Sequence, residues 1–199
     1  PHMYKDDLDE ELPEITSLLA KYNMKVCNFI PAQFRYPSIL CSANEKIRKD
    51  SVQYIVSAME NALKIGAPSV SLCPNMCLFD HDRKHAWHQL LKSYAEISEY
   101  NQDKKLNLLI EPAHKYESNL ICTVEECLRM IEQLKSDQFG VLIDTGHCQI
   151  NGEDLKTVLR LCQGLPLHIH LDDNHGNFDD HLVPGEGSID FLSFADGLR

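Results

Sequence analysis

No apolar run in this chain approaches the roughly 20 residues that a membrane-spanning helix needs, and Pro1-His2-Met3-Tyr4 is unlike a secretory signal. A soluble, cytosolic protein without a membrane partner is therefore expected. A basic stripe is also missing. The formal net charge is −11, whereas gripping a phosphate backbone takes clustered Lys and Arg, so no nucleic-acid partner is expected. The eight cysteines include no Cys-x-x-Cys pair, which removes the usual spacing of a structural zinc site. A chain of 199 residues with 43% hydrophobic content can bury a core without disulfides. The cysteines are accordingly expected to be reduced thiols, with Cys27, Cys73, Cys127 and Cys162 in apolar runs.

What the chain does have is a repeated design. Phe139-Gly-Val-Leu-Ile-Asp144-Thr-Gly-His147 is a short apolar run, suited to a buried strand, that stops at a carboxylate and an imidazole. Leu106-Asn-Leu-Leu-Ile-Glu111-Pro and Leu165-Pro-Leu-His168-Ile-His170-Leu-Asp172-Asp173 repeat it. Two earlier runs, Met24 to Pro31 and Val70 to Cys73, also read as strands. Helical patterns separate them. Leu12, Ile15, Leu18 and Leu19 mark one side of a helix from Leu8 to Tyr22, where Pro13 is tolerable only near the first turn. A capping box of Ser42 and Glu45 opens a helix that stops at Gly66. Arg83 to Tyr100 carries Trp87, Leu90, Leu91, Tyr94 and Ile97 at helical spacing, Thr123 and Glu126 form another capping box, and Asp154 can cap a helix through Cys162. A polar loop, Asn174 to Gly187, precedes a last helical pattern from Ile189.

About five strands alternating with helices imply a parallel sheet. An open doubly wound sheet usually carries a glycine-rich phosphate turn after its first strand, and none is visible. Reactive residues at several strand ends suit a (β/α)8 barrel, whose sites lie at the C-terminal rim. Glu111, Asp144 and His170 would converge there if their strands are adjacent. Carboxylates with imidazole can hold a divalent ion, Mn2+, Co2+ or Zn2+ before Ca2+.

Several segments in order, Leu-Ile-Glu111-Pro with Tyr116-Glu117-Ser-Asn, Asp144-Thr-Gly-His147, His168-Ile-His170-Leu-Asp172, and Asp180-His181-Leu-Val-Pro184-Gly185-Glu186-Gly187, resemble the xylose isomerase-like barrel family of sugar isomerases and epimerases. Ketose 3-epimerases of the fructoselysine and tagatose types are the most similar. The resemblance implies a TIM barrel incomplete in this chain, a single partial-barrel domain over residues 1–199 lacking the first two strands and the last. It implies a metal-dependent enzyme acting on a ketose through an enediolate, with 3-epimerisation favoured and a small sugar as partner. Glu111, Asp144 and His170 become metal ligands, Glu111 and His147 the catalytic pair, and Glu117, His147 and His181 contacts to substrate hydroxyls. The ion would be Mn2+ or Co2+ ahead of Zn2+ or Mg2+. On the residues alone His147 could merely stabilise its turn and Glu117 could pair with Lys115.

The family also supplies a fourth ligand, a glutamate on the last strand that doubles as the second acid/base, and the sequence stops before it. Little turnover is therefore expected of this chain alone. Two alternatives stay open: a truncated non-catalytic relative, and a nuclease resembling endonuclease IV, whose metal positions are matched in order by Glu111, Asp144, His147, His170, Asp179 and His181. Asp179 and His181 would then be metal ligands. Association into homo-oligomers is also left open.

Overall fold

The structure is a computed structural model that describes residues 5–33 and 38–198; Pro1-His2-Met3-Tyr4 lies outside them. Four parallel strands, β1 (Ser69–Leu72), β2 (Asn107–Ile110), β3 (Phe139–Asp144) and β4 (Leu167–His170), hydrogen-bond in the order β1-β2-β3-β4. Each crossover steps to the next position in the same direction. A doubly wound sheet reverses its order near the middle, so this uniform progression makes the chain a parallel α/β half-barrel.

Burial explains the strand compositions. Val141, Leu142 and Ile143 of β3 are fully covered on both faces, each contributing on the order of 1.5–3 kcal/mol. Gly140 permits β4 to come close: a Cβ there would lie 2.0 Å from the Pro166 carbonyl oxygen. The sheet is covered by α2 (Glu45–Lys64), α3 (Arg83–Asn101), α4 (Val124–Leu134) and α6 (Leu155–Leu161), while α1 (Lys5–Lys21) packs on α2 and α7 (Phe191–Gly197) on α6. Between α2 and α3 sits a fully buried guanidinium: Arg48 donates to Glu45, to Glu96 at 2.7 Å and to Ser93 at 3.0 Å. No helix among the described residues is long and apolar enough to cross a membrane.

Several expectations need correction. Met24 to Pro31 is not a regular strand; Phe29 alone forms a parallel bridge opposite Val70 at the edge of β1, donating its N–H to the Ser69 carbonyl and accepting from the Ser71 N–H, both at 2.9 Å. One bridged pair leaves the rest of that run without a ladder, so four strands form instead of five. The second helix is capped by Asn44 rather than Ser42, because the Asn44 side chain accepts from the N–H groups of Lys46 and Ile47. In α1 the proline is the ninth residue, not in the first turn; it offers no N–H to the carbonyl of Asp9, which lies on an exposed stretch open to solvent. Leu12, Ile15 and Leu19 are half-covered but Leu18 is exposed. All eight cysteines are free, yet Cys27 is exposed and so is not core filler.

Candidate functional site

The ends of β2, β3 and β4 meet as their apolar runs suggest. Asp144 lies opposite His170 in the β3–β4 register, so their side chains share a face of the sheet. Glu111 follows the last residue of β2, and its backbone N–H is tied to the Leu72 carbonyl of β1. The result is convergence: His170 Nδ1 is 3.6 Å from Glu111 Oε1 and 3.5 Å from Asp144 Oδ2. Both residues are buried. The Cys73 thiol at the end of β1 points to the other Glu111 oxygen at 3.8 Å.

Immediately after β3 comes a short helix that periodicity did not reveal, α5 (Thr145–Asn151). Asp144 is its N-cap, accepting from the His147 N–H at 2.9 Å. His147 thereby turns back into the cleft, where Nδ1 faces the Pro112 carbonyl at 3.1 Å. That carbonyl can only accept, so Nδ1 carries the proton and Nε2 is left toward Asp179, 3.9 Å away. Glu111, Asp144 and His147 nonetheless form a group with one ligand atom each lying within 4.8 Å of one another.

A second cluster lies beside the first. Asp179 Oδ2 faces three imidazoles: His181 at 3.2 Å, His114 at 3.6 Å and His147 at 3.9 Å. His181, exposed at 65% of its side chain, also reaches Asp172 at 2.8 Å. Glu117 faces His114 at 3.6 Å, not Lys115, whose ammonium sits over the Tyr116 ring. The sequence assigns no role to His114, and it marks Asp172 only as part of the segment that ends the third apolar run. For His114 a signal existed: Glu111-x-x-His114 repeats the spacing of Asp144-x-x-His147. Asp172 bonds back to α5, accepting from the Gly146 N–H at 2.9 Å.

Electrostatics favour a cation at the strand ends. Burial disfavours the His170 imidazolium, but the Asp144 and Glu111 carboxylates outweigh it and raise the pKa to about 10. Burial likewise works against the Asp144 carboxylate, and His170 and His147 outweigh it, holding the carboxyl at about 2. His147 is raised too, because Asp144 and Glu111 overcome its burial. Asp172 is raised by burial and by the Asp144 charge. His168, on the same strand, is lowered by burial and by its neighbour His170. A mixed oxygen and nitrogen set that already holds its imidazole as a cation is chemically suited to a divalent ion. His170 Nδ1 faces both carboxylates, while His147, its Nδ1 donating to the Pro112 carbonyl, keeps Nε2 free as a further ligand atom.

A sequence model of one family, described as xylose isomerase-like TIM barrel, matches residues 1–199. The chain is similar to an uncharacterized protein of Methanocaldococcus jannaschii, 29% identical over 160 residues, covering 80% of this chain and 61% of that one. It is also similar to fructoselysine 3-epimerase of Escherichia coli O157:H7, 24% identical over 190 residues, covering 95% of this chain and 69% of that one. The chain thus spans between 61% and 69% of the length of these two relatives. In fold it resembles a crystal structure of a D-tagatose 3-epimerase-like protein, with a TM-score of 0.83 at 23% identity over 95% of this chain and 71% of that one.

Proposed function

Because this chain belongs to the xylose isomerase-like TIM barrel family, in which it is related to sugar epimerases, we propose that it carries the metal site and first proton-transfer group of a metal-dependent ketose epimerase, 3-epimerisation being favoured. The observation supporting this most directly is the meeting of Glu111, Asp144 and His170 at three successive strand ends. These three would hold the ion. A divalent ion bound there supplies Lewis-acid polarisation of a sugar carbonyl.

The chain's own residues do the rest. Glu111, buried and held by the Cys73 thiol on one oxygen, takes the proton from the carbon next to the carbonyl. His147 presents Nε2, and Glu117 its carboxylate, to substrate hydroxyls. His181 and Asp179 line the outer side of the same cleft. Free thiols throughout suit a reducing compartment such as the cytosol. Carboxylates with an imidazole suit a first-row divalent ion, and Mn2+ or Co2+ is favoured here with Zn2+ or Mg2+ as the further candidates.

The test is solvent exchange. The native gene product is incubated in deuterated water with a panel of ketoses and each metal, and NMR follows deuterium at the carbon next to the carbonyl. Metal-dependent exchange abolished by Glu111→Gln is expected; no exchange on any ketose with any metal overturns the proposal. The Asp179 cluster of imidazoles gives a nuclease one point of support, but the net charge of −11 opposes phosphate binding. Nicking of abasic duplex DNA would decide in its favour.

A further inference from the structure

We infer that Asp173, whose side-chain hydrogen bonds reach none of the candidate ligand or substrate-contacting residues, is the positioning residue that holds loop 174–189 and so sets Asp179 and His181 over the cleft. Asp173 is fully buried, yet every hydrogen bond it makes is to the backbone of residues 174–189. Oδ1 accepts from the N–H groups of Asn174 at 2.9 Å and Ile189 at 3.1 Å. Oδ2 accepts from Gly185 at 2.9 Å and Gly187 at 2.8 Å. Its own N–H and carbonyl pair with Leu182 at 2.9 and 2.8 Å. Burial alone would raise the carboxyl's pKa, but the four N–H groups outweigh it and lower it. A carboxylate ringed by backbone donors is the side-chain counterpart of an anion in a nest.

The neighbours on β4's extension divide the work. Asp172 bonds the wall, at Gly146 and Thr145 of α5, and Asp173 bonds the loop. Asn174 closes the neck, donating to the Gly146 carbonyl at 3.1 Å and accepting Ser188 N–H at 2.9 Å. Between the neck and Leu182 runs the stretch that bears Asp179 and His181, the latter in a left-handed conformation at φ 48°. Loops of this length without regular structure are seldom passive connectors. The cradle also dictates its glycine: a Cβ at Gly187 would stand 2.3 Å from Asp173 Oδ1 and 2.6 Å from the Asn174 carbonyl oxygen.

Two variants test it, Asp173→Asn, which turns an amide NH2 toward two N–H donors, and Gly187→Ala, which keeps the carboxylate but displaces it. Hydrogen exchange by mass spectrometry should speed by about tenfold or more in 182–189, with β1 to β3 unchanged. His181 imidazole NMR signals should move while metal affinity at the strand ends stays. The kinetic arm rests on the proposed epimerase activity: KM for ketose should rise about tenfold with kcat changed less than about threefold, because Glu111 is not disturbed. Unchanged loop exchange in both variants overturns the inference, and so does a loosened loop with His181 signals and KM unmoved. Failure of the epimerase proposal is distinguishable, since wild-type protein would then exchange no ketose proton while loop exchange and the His181 signals still decide.

Discussion

Asp144 has two structural jobs that a pair of substitutions can separate. One oxygen caps α5 through the His147 N–H at 2.9 Å, and the other lies 3.5 Å from His170 Nδ1. Losing an N-cap acceptor to alanine costs about 1 kcal/mol. Removing one partner of a buried pair costs about 3–5 kcal/mol when the other charge is left alone. Here Glu111 stays 3.6 Å from His170, so the loss should fall to roughly 1–2 kcal/mol. Asp144→Ala should therefore lower stability by about 2–3 kcal/mol, whereas Asp144→Asn, which caps as well as Asp, should lose only the pair. Urea unfolding with chelator present measures both. The pH dependence follows from the shifts. Asp144 is depressed from its ordinary 3.8 to about 2, so its contribution is present above about pH 4 and lost as pH falls toward 2. His170 is raised from 6.5 to about 10, so its contribution is full below 6.5 and lost as pH rises through 10. The gap between wild type and Asp144→Asn should be widest from about pH 4 to 6.5 and shrink on either side. Both variants should lose most metal affinity. Equal destabilisation by Asn and Ala, or wild-type metal affinity in Asp144→Asn, refutes the assignment.

Metal binding near pH 8 should release about one proton from His170, because the ligand must give up the proton its carboxylates hold; calorimetry in buffers of different ionisation enthalpy reads it, and zero release removes His170 from the ligand set. Arg48→Ala should cost about 2–3 kcal/mol in thermal unfolding, less than a sealed pair, because Glu45 and Glu96 keep 47% and 35% side-chain exposure. Gly140→Ala should prise β3 from the Pro166 carbonyl and cost about 3 kcal/mol or more, visible as loss of protection in β4 by hydrogen exchange; a stable variant with intact β4 contradicts the close approach.

The parts of this protein written in local sequence were legible from it. Apolar runs ending in Glu111, Asp144 and His170 announced buried strands with reactive ends, since strand burial and strand termination are both fixed within a few residues. Capping side chains at Thr123 and Asp154 likewise act over three or four positions and fell where they were expected. The alternation of elements implied a parallel sheet, and the absence of a phosphate turn pointed away from a doubly wound one. Pairing partners distant in the chain were another matter. Whether Met24 to Pro31 joins the sheet depended on how much of β1's edge its backbone could pair with, and Phe29 alone makes that bridge. That Asp144 would be an N-cap as well as a candidate ligand depended on α5, seven residues too short to show a period. The meeting of His114, His147 and His181 around one Asp179 oxygen, and the four N–H groups around Asp173, join residues from separate strand ends and loops. Such clusters arise because the strands lie side by side and aim their ends at one rim, a condition set by packing of the whole sheet and by no segment alone.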